Sequence, residues 1–191
     1  MFSIWLVVLT VSCCGIAASN VSEAFIENKI VPNIIKNAPE DLIHVKYSRV
    51  EINLGNRVHP FQTLTKPDVT FNAKDDELHT IVFFGPDLPP DITPPYTQFL
   101  HWMIVNIPGT SLKEGKTVST YFPPTPYPGG FNYIFLLFKQ SESIDAKKLE
   151  YLSVIFNRPH FDIIGFQEKH NLTGPVAGNF MKEVYLPPYS K

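Results

Sequence analysis

The stretch HTIVFFGPDLPP, residues 79–90, contains the clearest boundary between a buried strand and a loop in this chain. Four apolar residues, Ile81 to Phe84, are followed at once by Gly85 and Pro86, then by a single carboxylate at Asp87 and two further prolines. A short apolar run bounded by turn residues is typical of a strand buried on both faces. Folds often place binding residues just after such a strand, so Asp87 is a candidate site residue, with turn capping as the alternative.

Length and composition indicate a single β-rich domain. A chain of 191 residues can bury one sizeable core. Its 16 basic and 18 acidic residues give a net charge of -2 without a basic stripe, which argues against nucleic acid as a partner. The 15 Phe and 8 Tyr favour strands, and the 18 Pro favour constrained loops.

The first residues have the composition of a secretory signal. A short apolar run from Ile4 to Val11 precedes small residues, so residues 1–18 are predicted as a signal peptide and 19–191 as the domain. A membrane anchor is the alternative, but the run is shorter than the ~20 residues of a spanning helix. Both cysteines lie in this segment, which leaves the mature chain without thiol chemistry. The sequons at Asn20 and Asn171 predict glycosylation on the same route.

Strand patterns follow from residue 42 onward. LIHVKYSRVEINLG alternates apolar and polar residues, as a half-buried strand does, and a turn at Leu54 to Asn56 precedes a strand through Arg57 to Phe61. Because these strands are short and their connections rich in proline, we expect antiparallel sheets. The other predicted strands are Val69–Asn72, Thr80–Phe84, Phe99–Ile107, Asn132–Lys139, Leu152–Phe156 and a last one ending at Pro187–Pro188.

Two helices are predicted. The first is a short N-terminal helix around Ser22 to Ile30. The second begins at Asp162, which suits an N-cap, with Phe161 and Phe166 at the spacing of a hydrophobic staple. Gly174 suits the exit of this second helix.

No sequence motif for catalysis or metal binding is present. The six histidines include no pair three to five residues apart, and there is no G-x-S-x-G, H-E-x-x-H or P-loop. No cofactor is expected. His101 stands in the apolar segment YTQFLHWMIVNIPG, where a hydrogen-bonded core histidine is the alternative to a ligand contact.

Four segments in order resemble the phosphatidylethanolamine-binding protein family, which includes the Raf kinase inhibitor proteins. Gly85 to Pro90 stand where that family has D-P-D-A-P-S, and the segment around His101 matches its Tyr…Trp-His-His motif. GGFNYIFLLFKQ, residues 129–140, resembles its G-x-H-R-Y strand, and GPVAGN, residues 174–179, its A-P-V-A-G segment. The resemblance covers about residues 40 to 188 and implies a mainly β fold, with antiparallel sheets, a few helices and one of them near the C-terminus.

The resemblance also implies a small pocket for an anionic head group. Carried over residue by residue, the pocket retains Asp87, Tyr96 and His101, while Gly85 replaces the first acidic residue and Phe131 replaces the histidine of the third motif. Pro126 is the loop proline expected to line it, and Leu88–Pro89 is the expected cis peptide. Because a phenyl ring cannot donate to an anion, we expect weak phosphate binding or none.

Three hypotheses about function follow. The leading one is a secreted, monomeric, non-enzymatic binding protein whose altered pocket takes a lipid or a small apolar ligand. The second is a protein-interaction or inhibitor module, acting on a protease or signalling partner, with a vestigial pocket. Catalysis is the least supported, because neither a nucleophile nor an oxyanion site can be named. Stable membrane insertion is not expected.

Overall fold

The structure is a computed structural model that describes residues 14–86, 97–124 and 131–184, with side chains from residue 21 onward. Ten strands form two sheets. In the large sheet the order is β1-β10-β9-β6-β7-β8, with β4 also beside β10, and the small sheet has the order β3-β2-β5. The strands are β1 (Asp41–Leu42), β2 (His44–Lys46), β3 (Glu51–Ile52), β4 (Asn56–Val58), β5 (Asp68–Thr70), β6 (Leu78–Pro86), β7 (Gln98–Pro108), β8 (Lys116–Ser119), β9 (Asn132–Gln140) and β10 (Leu172–Glu183).

The predicted mainly β fold with antiparallel sheets is confirmed. The central pairs of the large sheet, β10–β9, β9–β6 and β6–β7, are all antiparallel. Only the short β1 and β4 pair with β10 in parallel among the described strands. Because β6, β7 and β9 form the middle of the sheet, the three segments with motif resemblance lie side by side.

The large sheet separates two apolar cores. On one face, Phe84, Leu100 and Ile134 pack with the helices. On the other face, Phe83, Trp102 and Phe135 pack against the small sheet. Burial on both faces explains the continuous apolar runs that the central strands show in sequence.

The two α-helices are α1 (Cys14–Glu27) and α2 (Ile163–Lys169). At α2 the prediction is confirmed: Asp162 Oδ1 accepts a hydrogen bond from Gly165 N at 2.9 Å, and the Phe161 and Phe166 ring centroids are 5.8 Å apart. The predicted exit at Gly174 is wrong. The helix ends at Lys169, and Gly174 lies within β10, where a cis peptide bond joins it to Pro175.

The N-terminal helix lies earlier than predicted. It ends at Glu27 rather than near Ile30, and it begins before residue 18, where the predicted signal peptide ends. Its described side chains Val21 and Phe25 are buried, and the Phe25 ring meets Phe180 of β10 edge-on at 5.0 Å. These contacts lie on the C-terminal side of the predicted cleavage point.

The predicted strand Leu152–Phe156 is wrong, because this segment forms two 3₁₀ helices, Ala146–Ser153 and Ile155–Asn157. Short apolar runs do not distinguish a strand from a helical turn. Here the buried residues Leu149 and Leu152 are three apart, which is the 3₁₀ period, and Phe156 is 87% exposed.

Other strand boundaries also differ from prediction. The stretch from residue 42 is divided among β1, β2 and β3 rather than forming one strand. The strand predicted through Arg57 to Phe61 stops at Val58, because Pro60 begins a third 3₁₀ helix, Pro60–Gln62, capped by His59. The last strand ends at Glu183, and Pro187–Pro188 lie outside the described residues.

Candidate functional site

The ends of β6, β7 and β9 meet at one edge of the large sheet. Gly85 is paired with Phe99, Pro86 with Gln98, and Phe84 with Ile134. The end of β6 and the start of β9, where the motifs single out residues, are therefore neighbours.

His101 is the extra residue of a β-bulge. Phe83 is paired with Trp102 and the next residue, Phe84, with Leu100, so His101 has no partner across the β6–β7 ladder. A bulge redirects the side chain of the extra residue, and bulges are frequent beside binding sites. This local irregularity places the imidazole among aromatic rings rather than in the regular alternation of the strand.

Four rings surround the imidazole of His101, and we call this group the His101 aromatic cluster. Centroid distances from the imidazole are 4.9 Å to Phe99, 5.2 Å to Phe83, 5.4 Å to Tyr133 and 6.4 Å to Phe122. The histidine itself is 3% exposed. Desolvation by these rings favours the neutral imidazole.

Burial lowers the pKa of His101 to about 3, with a smaller contribution from the nearby positive charge of Arg158, although hydrogen bonds to Phe122 and Pro123 act in the opposite direction. Nδ1 lies 3.0 Å from the carbonyl oxygen of Phe122 and donates to it, since a carbonyl only accepts. In a neutral imidazole the other nitrogen is then an acceptor. Nε2 is buried and has no hydrogen-bond partner in the described parts of the chain.

Arg158, which the sequence did not indicate as a site residue, is hydrogen-bonded to the segment that carries Phe122 of the His101 aromatic cluster. Its guanidinium donates to the carbonyl oxygen of Thr120 at 2.7 Å and to Thr120 Oγ1 at 3.1 Å. The amide of Phe122 donates to the carbonyl of His101, so the segment held by Arg158 is also the one that carries the Nδ1 acceptor. Arg158 is therefore a positioning residue. Its neighbours in sequence, Asn157 and Pro159, gave no indication that it is buried.

The space that a side chain at residue 85 would need is occupied by the Tyr133 ring. A Cβ built on Gly85 would lie 2.3 Å from Cδ1 and 2.5 Å from Cε1 of the buried Tyr133 ring. No side chain fits at residue 85 unless Tyr133 moves, because these distances are far inside van der Waals contact. The replacement of the acidic residue by glycine is thus coupled to the packing of this tyrosine.

A second feature at the same sheet edge is a cavity of about 250 Å³. It lies on the helix side of the large sheet, where Phe84 and Ile134 form its floor, and we call it the helix-side cavity. Gly85 and Phe131 line it, but His101 does not. Phe131 and His101 therefore lie at the same edge of the sheet, and of the two it is Phe131 that lines the helix-side cavity.

Of the predicted site residues, Asp87, Tyr96 and Pro126 lie outside the described residues, as does the Leu88–Pro89 bond. The cis peptides among the described residues are Val31–Pro32 and Gly174–Pro175, neither of which was predicted. Asn171 is exposed together with Thr173 of its sequon, in a left-handed turn with φ of 47°. The side chain of Asn20 lies outside the described set.

The described ranges also bear on metal binding and on membrane spanning. They contain no group of three or more His, Cys, Asp or Glu side chains arranged to hold a metal ion. None of the helices in these ranges is long and apolar enough to cross a membrane. Within the same ranges, no carboxylate forms an ion pair with His101 or Arg158.

Comparisons with known proteins agree with the motif resemblance. The family model described as phosphatidylethanolamine-binding protein matches residues 38–184. "Putative odorant-binding protein A5" of Drosophila melanogaster is 32% identical over 180 residues, covering 90% of this chain and 85% of that protein. The "26 kDa secreted antigen" of Toxocara canis is 33% identical over 162 residues, covering 83% of this chain but only 62% of that protein.

A solved structure supports the same assignment at the level of fold. The structure of a carboxypeptidase Y inhibitor in complex with its cognate proteinase has a TM-score of 0.71 at 21% identity, covering 87% of this chain and 96% of that one. The order of the strands, the position of the motif segments and the extent of the family match all lead to the same conclusion. The chain belongs to the phosphatidylethanolamine-binding protein family.

Proposed function

We propose that this chain is a secreted, non-enzymatic binding protein that takes a small, neutral, mainly apolar ligand beside the His101 aromatic cluster. The observation that carries the proposal is the state of His101. It is buried among four aromatic rings, its Nδ1 already donates to Phe122, and its Nε2 is an acceptor without a partner among the described residues. Such a group is suited to a ligand hydroxyl or amine rather than to a phosphate.

The physical reason is the direction of the hydrogen bond. A phosphate oxygen is an acceptor, so it needs donors around it, and an imidazole nitrogen that carries a lone pair would face it with another acceptor. Charging His101 to make it a donor is unfavourable, because burial lowers the pKa of His101 to about 3. A ligand that donates one hydrogen bond and otherwise offers apolar surface fits these constraints.

Both departures from the family motifs support the same ligand class. Gly85 with the Tyr133 ring against it supplies no carboxylate, and Phe131 supplies no imidazole. Each replacement removes a polar group that could orient or bind a charged head group. Asp87, Tyr96 and Pro126 remain proposed wall residues of this site.

Secretion, glycosylation and the monomeric state belong to the proposal as well. The apolar N-terminal run, the absence of cysteine after residue 14 and the two sequons support an extracellular route. The relatives named as a putative odorant-binding protein and as a secreted antigen support it further. The proposal of no enzymatic role rests on the neutral, carboxylate-free surroundings of His101 in the described structure.

Binding of three probes tests the proposal. We expect 2-phenylethanol, which has a hydroxyl, to bind more tightly than ethylbenzene, which lacks it, and phenyl phosphate to bind least. His101→Leu removes the acceptor while keeping a similar side-chain volume. It should weaken the binding of 2-phenylethanol about tenfold and leave the binding of ethylbenzene unchanged. His44→Leu, at an exposed position of β2, is the matched control. Tighter binding of phenyl phosphate, or no binding of any probe, would contradict the proposal.

One observation favours the second candidate, a protein-interaction or inhibitor module. The two adjoining 3₁₀ helices and the residue between them expose three apolar side chains that are close in sequence, Tyr151, Val154 and Phe156, at 50%, 48% and 87%. Clustered exposed apolar groups are frequent at protein contacts. In a pull-down from extracellular fluid, this candidate predicts a partner that is retained by His101→Leu and lost with Phe156→Ser. The reverse pattern would favour the pocket.

A further inference from the structure

The helix-side cavity has a charge pattern that the proposed function does not use. Lys29, just after α1, and Lys182, on β10, both line it. Among the described residues that line it there is no aspartate or glutamate, although the whole chain carries a net charge of -2. The acidic neighbour of Lys182 in sequence, Glu183, lies on the other face of the sheet, where it is paired with Thr63.

Neither lysine is neutralised within the described structure. The ion pairs there involve Lys36, Lys74, Lys139 and Lys148, and the carboxylates that these use lie outside the cavity lining. Two ammonium groups at one small cavity repel each other unless an anion lies between them. A cavity lined by one sign of charge concentrates ligands of the opposite sign.

The floor and the amide groups add a second requirement. Phe84 and Ile134 are each 1% exposed overall and form an apolar base, so the ligand needs an apolar part as well as a charge. Asn132 Nδ2 donates to the carbonyl of Asn28 at 3.1 Å, which fixes the amide and leaves Oδ1 buried without a partner in the described part of the chain. Gln98 Oε1 is in the same condition. Water is the partner expected for two acceptors of this kind when the ligand is an anion without a proton to donate.

The volume limits the size of the ligand. A cavity of 150 Å³ is known to take benzene, and pockets for drug-sized molecules begin at about 300 Å³. A cavity of about 250 Å³ therefore suits a molecule of about ten non-hydrogen atoms. A carboxylate with a short alkyl chain combines this size with one negative charge and one apolar part.

We propose that the helix-side cavity is a second ligand site, which binds a medium-chain carboxylate with its head between Lys29 and Lys182 and its alkyl chain over Phe84 and Ile134. The site is on the opposite face of the large sheet from the His101 aromatic cluster, although Gly85 and Phe131 at the shared sheet edge also line it. The inference uses the lysines and the apolar floor and none of the hydrogen bonds of His101, so it does not rest on the proposed function. It also differs in chemistry, since the helix-side cavity selects an anion and the His101 site selects a neutral donor.

Calorimetric titration of the full chain with octanoate, octanol and acetate tests the inference. Octanoate has both the charged head and the alkyl tail, octanol has the tail with a neutral head, and acetate has the charged head without the tail. We expect 1:1 binding of octanoate, at least tenfold weaker binding of octanol, and no measurable binding of acetate. Equal affinity for octanoate and octanol would overturn the role of the lysines, and binding of acetate as tight as that of octanoate would overturn the role of the apolar floor.

Variants locate the site. Lys29→Met with Lys182→Met should reduce octanoate affinity to that of octanol, whereas Lys46→Met, an exposed lysine on the small sheet, should change nothing. Ile34→Trp should block octanoate by filling the cavity from its partly exposed rim, independently of charge. Loss of octanoate binding in His101→Leu, with normal binding in both lysine and Ile34 variants, would place the ligand in the His101 site and refute the inference.

Discussion

Glu183 on β10 is predicted to make the fold less stable as the pH rises through neutrality. The residue is fully buried, its Oε1 is hydrogen-bonded to Thr63 Oγ1, and its Oε2 has no partner in the described structure. Burial raises the pKa of Glu183 from its ordinary value of 4.5 to about 7, although the Thr63 hydrogen bond acts in the opposite direction. Tyr47 and Tyr121 also face this carboxyl group, and the pKa of each is raised, mainly by burial.

The protonated form of Glu183 fits its surroundings. The Thr63 hydroxyl has one proton, and its oxygen contacts both the carbonyl of Pro60 at 3.0 Å and Glu183 Oε1. A neutral carboxyl group can donate to this oxygen while the hydroxyl donates to Pro60. The ionised form would leave a charge in an apolar core without a cationic partner among the described residues.

The magnitude follows from linkage. Because the pKa is higher in the folded state than in the unfolded state, the folded state holds the extra proton, and its contribution is fully present below about pH 4.5. It is lost as the pH rises to about 7, which amounts to about 3 kcal/mol over the whole range at about 1.4 kcal/mol per pH unit. Between pH 5 and pH 8 the expected loss is about 2.5 kcal/mol.

The comparison with Glu183→Gln isolates this effect, because glutamine has the same shape and does not titrate. Buried histidines act in the opposite direction: burial lowers the pKa of His101 to about 3 and also lowers that of His79, so their stability contributions are lost as the pH falls below about 6.5. The stability contributions of these histidines are expected to be the same in wild type and in Glu183→Gln. Their contributions therefore cancel in the difference.

Urea unfolding at several pH values measures the difference. We expect the free energy of unfolding of Glu183→Gln relative to wild type to increase by about 2.5 kcal/mol from pH 5 to pH 8, a midpoint shift of about 1 M urea. Glu51→Gln, at an exposed position of β3, serves as the control. Its free energy of unfolding should change with pH in parallel with that of wild type. Parallel curves for Glu183→Gln as well would refute the reasoning, since they would mean that the buried carboxyl group is ionised at low cost.

Three further predictions concern the site and its neighbours. Gly85→Ala should lower the free energy of unfolding by about 1–3 kcal/mol through its clash with Tyr133, and Tyr133→Leu in the same chain should remove most of that added cost; additive effects in the double-mutant cycle would contradict this. The NMR signal of His101 should not titrate between pH 5 and pH 8, because the pKa of this residue is about 3, and a midpoint near 6.5 would show a solvated imidazole. Asn171→Gln should remove one glycan from protein secreted by a eukaryotic host, seen as a mass difference, and an unchanged mass would show that this exposed sequon is unused.

Much of the fold was predictable because the central strands carry strong and consistent patterns. β6, β7 and β9 are continuous apolar runs with clear ends, and the cap and staple of α2 are local features of a few residues. Where prediction was wrong, local pattern was ambiguous. The apolar residues near Leu152 suited a strand as well as a 3₁₀ helix, and only tertiary packing of Leu149 and Leu152 under β8 decided between them.

The candidate site was predictable in part, for a different reason. His101 was singled out by its apolar neighbours and by motif order, but its unusual direction arises from a bulge, and a bulge depends on the pairing of β6 with β7. The role of Arg158 and the contact of Tyr133 with Gly85 depend on residues that lie far apart in the chain. Such contacts leave no periodic trace in a single sequence.

The contact between Gly85 and Tyr133 offers a structural reason for the proposed change of ligand within the family fold. A side chain at residue 85 and the present position of the Tyr133 ring exclude each other, so the loss of the carboxylate and the inward packing of the ring form one structural change. That ring is one of the four around His101, and the desolvation they cause together lowers the pKa of the histidine and turns Nε2 into an acceptor. One glycine thus removes a negative charge from the site and favours the neutral imidazole. A Gly85→Asp variant that also carries Tyr133→Leu should therefore raise the pKa of His101 and strengthen the binding of phenyl phosphate relative to 2-phenylethanol, whereas an unchanged preference would separate the two effects.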